Sequence, residues 1–230
     1  MQLGVSYNNI VISQMEISVH LVMFDIDGTL VNTTSFEDEC YLRAVKKVIP
    51  YQINTDWSSY ANATDSGILD EIISENKLDN EKEPIHKEVK RLFISYIKKQ
   101  LRKTQALEIP GARVFVKLLK NRNDVSLAIA TGGWEETAKM KLESAGIDYS
   151  NIAFASGSDH KSRAGIMKIA EKKCSKEIFV SKSYFGDAIW DKEASRDLQY
   201  NFILVGNRFK HSNQIDNYSD HDVALSMIGL

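Results

Sequence analysis

The chain is short of the features that would place it outside the reducing interior of a cell. Only two cysteines occur in 230 residues, Cys40 and Cys174. Each falls in a stretch that reads as helix, which fits a reduced cytoplasmic protein rather than a disulfide framework and excludes a cysteine-built metal site. Charge of one sign is also missing. The 29 Lys and Arg are balanced by 31 Asp and Glu, a formal net charge of -2, so there is no electrostatic case for nucleic acid or an anionic membrane as partner. No apolar run approaches the roughly 20 residues a membrane helix needs, and the polar preface Met1 to Met15, to which no function is assigned, lacks the basic start and apolar stretch of a secretory signal. Repeats and low-complexity tracts are absent. A soluble chain of this length is large enough to bury a sizeable core.

What is present is a set of aspartates at the ends of apolar runs. The first run, Ser18 to Phe24, closes on Asp25-Ile26-Asp27-Gly28-Thr29. Leu21 to Phe24 reads as a strand buried on both faces, and in open parallel sheets ligands bind beyond the carboxyl ends of such strands. Two aspartates one residue apart point to opposite sides of a straight strand. Gly28 allows the sharp turn that brings both to one pocket. Two carboxylates about 4 Å apart repel by about 4 kcal/mol at a surface-like dielectric, and a divalent cation or shared proton must offset this.

The pattern changes after Leu30. Apolar residues recur at helical spacing from Phe36 to Ile49, over Ile68 to Ile73, and from about His86 to Lys103, so residues 33–110 read as an all-helical unit. Pro110-Gly111 ends it. Helix and strand then alternate: helix Ala112 to Lys120, strand Val125 to Ala130, helix Glu135 to Ala145, strand Asn151 to Ala155, helix Ala164 to Lys173, strand Ile178 to Phe185, helix Lys192 to Leu198 and strand Asn201 to Val205. This is the rhythm of a parallel sheet with helices on both faces. The predicted fold is α/β: a doubly wound, Rossmann-like core from residues 1–32 and 111–230 carrying the helical cap 33–110.

Three further segments carry chemistry. Thr131-Gly132-Gly133 follows the strand Val125 to Ala130 and precedes a helix, where a hydroxyl and exposed N–H groups can cradle an oxyanion. The polar loop Gly157 to Arg163 offers Lys161 and Arg163. Gly186-Asp187 ends the strand Ile178 to Phe185, and Asp191 follows one helical turn later, so Asp187 and Asp191 can converge on one oxygen-preferring cation. His20 and His160 do not suit such a site.

Four such motifs in this order resemble those of the haloacid dehalogenase superfamily, specifically its capped phosphatase and β-phosphoglucomutase-like members, over about residues 18–205. The resemblance implies a magnesium-dependent phosphatase acting on a small phosphorylated metabolite. In that reading Asp25 attacks phosphorus and becomes an aspartyl-phosphate, and Asp27 gives a proton to the leaving oxygen and later takes one from water. The Mg²⁺ site lies at Asp25, Asp187 and the backbone carbonyl of Asp27, with Asp191 orienting metal ligands or the basic residue. Thr131, Gly132 and Arg163 bind the phosphoryl oxygens. Arg163 fits best by its distance from the following helix, with Lys161 the rival cation; the family's usual lysine-proline pair is absent here. The loop Thr64-Asp65-Ser66 either reaches over the core to meet substrate or only caps the helix near Ile68. Trp134 and Trp190 line the pocket mouth or pack in the core. The second acid, Asp27, speaks against a halide-releasing or carbon–phosphorus-cleaving relative. A phosphomutase and a non-catalytic binding protein of the same fold are the competing functions, and oligomeric state is left open.

Overall fold

The computed structural model describes residues 19–33, 36–175 and 178–230; the polar preface and Ser18 lie outside them. The chain runs β1 (His20–Phe24), β2 (Val31–Asn32), α1 (Glu37–Val48), α2 (Asp65–Glu75), α3 (Lys82–Lys103), β3 (Leu107–Glu108), α4 (Ala112–Lys120), β4 (Val125–Ala130), α5 (Glu135–Ser144), β5 (Ala153–Ala155), α6 (Arg163–Lys172), β6 (Ser181–Gly186), α7 (Ile189–Asp197), β7 (Asn201–Val205), β8 (Gln214–Ile215) and α8 (His221–Met227).

Six strands form one parallel sheet in the order β5-β4-β1-β6-β7-β8. The alternation of β1 divides its side chains between two cores. Val22 and Phe24 pack with Phe115, Leu119 and Leu142 from α4 and α5, whereas Leu21 and Met23 pack with Ile166, Met167 and Ala194 from α6 and α7. Helices thus cover both faces, as expected of a doubly wound sheet. Phe24 lies beside Ile129 of β4 and Phe185 of β6. That register brings the three motif ends to one level: Asp25 is a single residue past Phe24, while Thr131 and Asp187 are two past their partners.

The segment between β1 and α4 carries its own apolar cluster, built from Tyr41, Leu69, Ile73, Val89 and Phe93 of α1 to α3. It is not wholly helical. Leu107–Glu108, read from sequence as part of the helical unit, forms β3 and pairs antiparallel with β2, so entry and exit of the segment run side by side. Two-residue strands leave no periodicity to detect.

Element ends moved for local reasons. Helix α2 starts at Asp65 because the Thr64 hydroxyl accepts the Gly67 N–H at 3.0 Å, a side-chain N-cap. Helix α7 starts at Ile189, not Lys192, because Asp191 accepts the Ala188 N–H at 3.2 Å. The strand expected at Ile178 begins at Ser181, where pairing with His20 begins; Ile178 and Val180 are exposed at 86% and 59%. The last pair, β8 and α8, had no counterpart in the sequence reading.

Candidate active site

At the carboxyl edge of the sheet, Gly28 has φ +73°, and a Cβ there would lie 2.0 Å from the Asp187 carboxylate. Glycine is required twice over, for the left-handed turn and for the approach of Asp187. Gly186 plays the second part for Asp191, whose carboxylate would meet a Cβ at 2.7 Å. Asp25, Asp187 and Asp191 consequently converge: all three are buried, and one oxygen from each lies within 4.8 Å of the others.

Arg163 opens α6 behind the N-cap Ser162 and packs against this cluster, its side chain 9% exposed. Its Nη1 donates to Asp25 Oδ1 at 3.0 Å, and its Nε lies 3.1 Å from Asp191 Oδ1. A Cβ on Gly132 would strike Arg163 Nη2 at 2.8 Å, so that glycine makes room for the cation. The structure brings Arg163, not Lys161, to Asp25. Lys161 is exposed, and only its backbone carbonyl is engaged, by the Thr64 hydroxyl at 2.7 Å.

Two arginines, Arg163 and the half-exposed Arg208, do not neutralise three carboxylates. Burial, opposed by Arg163 and aided by Asp191 and Asp27, pushes Asp25 up to about 7. Burial and the charges of Asp191 and Asp25 push Asp187 up to about 8, despite Arg208 at 3.1 Å. A hard divalent cation relieves such uncompensated charge, and an all-oxygen donor set suits Mg²⁺. Groups raised on folding lower stability as pH climbs from the unfolded value of 3.8 toward the folded one. The metal-free protein is therefore expected to melt several degrees lower at pH 8 than at pH 5, with added Mg²⁺ recovering more at pH 8. Thermal melts in chelator and in Mg²⁺ at both pH values measure this; a metal-free melt that rises with pH would refute it.

Asp27 is oriented differently. Its carboxylate accepts from the Thr33 hydroxyl and from Lys141 Nζ, the latter at 2.5 Å, and its side chain is not among the three converging carboxylates. Burial raises its pKa, but Lys141, Glu37 and Thr33 together bring it below the usual range. Lys141 and its second partner Glu37 were not foreseen from sequence.

Thr131 lines the cavity with Gly132 and Gly133, and its Oγ1 accepts the Gly133 N–H at 3.4 Å. Thr64 caps α2, yet the loop also docks on the core: Asp65 N–H donates to Gly132 O at 2.9 Å, Asp65 Oδ2 accepts the Trp134 N–H at 2.8 Å, and Ser66 Oγ donates to Gly157 O at 2.7 Å. Trp134 is buried among Tyr41 and Phe93 of the helical segment, with ring centroids 6.0 and 5.8 Å away. Trp190 lines the cavity with Trp57, Ile68 and Arg208. The cavity holds about 150 Å³.

A family model described as haloacid dehalogenase-like hydrolase matches residues 22–205. No curated protein sequence matches the chain. Several solved structures share the fold. A hydrolase from Pseudomonas syringae has a TM-score of 0.64 at 20% identity, covering 85% of this chain and 87% of its own. CbbY from Rhodobacter sphaeroides, in complex with phosphate, has a TM-score of 0.66 at 13% identity, covering 92% and 100%. A mutant CbbY in complex with xylulose-(1,5)bisphosphate has a TM-score of 0.63 at 12% identity, covering 88% and 96%. Among the described residues no helix is long and apolar enough to cross a membrane.

Proposed function

The chain belongs to the haloacid dehalogenase-like hydrolases, and from that premise we propose that it is a Mg²⁺-dependent phosphatase of small phosphate esters working through an aspartyl-phosphate on Asp25. The observation that carries this reading is the position of Asp25, at the end of the central strand between the Arg163 guanidinium and the carboxylates of Asp187 and Asp191. An acid in that position can be both nucleophile and cation ligand. The ligands of the two CbbY complexes, phosphate and a sugar bisphosphate, belong to the same chemical class as the proposed product and substrate.

In the first step a carboxylate oxygen of Asp25 bonds to phosphorus as the ester P–O bond breaks, and Asp27, which Lys141 keeps charged in the free protein and which enters this step protonated, delivers that proton to the departing alkoxide. In the second, Asp27 takes a proton from water that attacks the same phosphorus, releasing inorganic phosphate and restoring Asp25. Arg163, the Thr131 hydroxyl and the N–H groups of the glycine turn receive the charge on the non-bridging oxygens. Asp25, Asp187 and the Asp27 carbonyl, with Asp191 alongside, would hold the Mg²⁺, which would supply charge neutralisation for the phosphoryl group. Trp57 and Ile68 from the cap close the cavity over the leaving group and exclude bulk water.

The test is inorganic phosphate release from a panel of small phosphate esters, with and without Mg²⁺. Release that requires Mg²⁺ is the expected result. Product that still carries its phosphate would replace hydrolysis with phosphoryl transfer to a second hydroxyl, and absence of any turnover across the panel would overturn the proposal.

A further inference from the structure

One buried charge, that of Lys141, is not used by the chemistry above. Lys141 stands on α5 along a buried stripe with Thr137, Ala138 and Leu142, and its side chain is 0% exposed. A buried lysine is costly unless its charge is matched, and an apolar side chain of similar length would fill that helix position at no such cost. Packing therefore does not account for it. Its Nζ donates to Asp27 Oδ2 at 2.5 Å and also pairs with Glu37, the first residue of α1 in the cap. The Thr33 hydroxyl holds the other oxygen, Asp27 Oδ1. With one donor on each oxygen, the rotation of the Asp27 carboxyl group is defined. Both donors also reach Glu37 of the cap, Lys141 Nζ as an ion pair and the Thr33 hydroxyl at 3.4 Å.

We propose that Lys141, held by Glu37, is a positioning residue for Asp27, serving protonation of the leaving oxygen and activation of water rather than the attack by Asp25. This rests on the phosphatase reading. It makes the variant's defect depend on the leaving group, since an alkoxide needs a delivered proton and p-nitrophenolate needs little help.

The experiment compares Lys141→Met and Glu37→Gln with the parent on p-nitrophenyl phosphate and on the alkyl phosphate the parent hydrolyses fastest. Values of kcat/KM report only steps up to phosphorylation of Asp25. For Lys141→Met we expect kcat/KM to fall by about 100-fold on the alkyl ester and by less than about fivefold on the aryl ester. On the aryl ester the second step then limits turnover, so a burst of p-nitrophenol stoichiometric with enzyme precedes the steady state. Combining Lys141→Met with Asp27→Asn adds little to the loss from Asp27→Asn alone, as for residues acting as a unit. Glu37→Gln keeps the shape of the side chain and shows the same leaving-group bias at smaller size; it carries the test by itself if circular dichroism shows Lys141→Met unfolded. Equal losses on both esters, or losses that add in the double variant, would overturn the proposal and leave the phosphatase reading standing. A parent that hydrolyses neither ester would overturn both.

Discussion

Replacing Asp25 with asparagine is expected to reduce phosphate release by about four orders of magnitude or more while raising the melting temperature of the metal-free protein. Both effects come from the same property. Asp25 is 3% exposed and shares its pocket with two other buried carboxylates, so its charge is costly to the fold. Its value of about 7 against an ordinary 3.8 corresponds to a cost on the order of a few kcal/mol at pH 8. Asparagine has nearly the same shape and carries no charge, which removes that cost; it is also a far poorer nucleophile. At about 2–4 °C per kcal/mol for a chain of this size, the gain should be visible in a thermal melt at pH 8 and small at pH 5. Activity within about tenfold of the parent would remove Asp25 from the nucleophile's role.

The second large effect belongs to Arg163, and it runs the opposite way in stability. Arg163→Met leaves Asp25 and Asp191 facing each other without the guanidinium that lies 3.0 and 3.1 Å from them. Removing one partner from a buried ion pair costs about 3–5 kcal/mol, or roughly 10 °C in melting temperature at pH 8. The loss should shrink near pH 6, where the orphaned carboxylates take up protons. Phosphate release should fall about 10³-fold, the scale of losing a preorganised donor to the transferring group. Lys161→Met is the companion measurement. Because Lys161 is exposed and its side chain is outside the cavity lining, it should change neither quantity materially, and a larger loss of activity there than at Arg163 would reverse the assignment of the cation.

The alternation of helix and strand was readable because buried parallel strands are apolar throughout and their neighbours are amphipathic. Phe24, Ala130 and Gly186 each end a strand just where the polar motif begins. Such a signal needs only local sequence. The pairing of Lys141 with Asp27 and Glu37 was not readable, because it spans 114 and 104 positions and no local rule marks it. Its one trace was a lysine in the stripe that also holds Ala138 and Leu142, where burial of a charge implies a partner elsewhere. Glu37 was hidden differently: three acidic residues open α1, an arrangement that any helix N-terminus favours. The apolar run Ile178 to Val180 misled in the other direction. β-Propensity says that a segment can pair, whereas β1 provides partners only from Ser181 onward.

The ribbon of β2 and β3 bears on how this protein could be rebuilt. Val31 faces Glu108 and Asn32 faces Leu107, so the polypeptide leaves the sheet and returns to it through a doorway two strands wide. A chain that departs and arrives at neighbouring points can be shortened there without stretching what remains: a tight turn from Asn32 to Leu107 would restore a simple hairpin. The same doorway admits replacement of everything beyond it by another folded unit whose own ends lie close together. Any rocking of that unit must bend both strands at once, about a shared axis across the ribbon. The geometry at this narrow neck thus separates the part of the protein that can be exchanged from the sheet that must be kept.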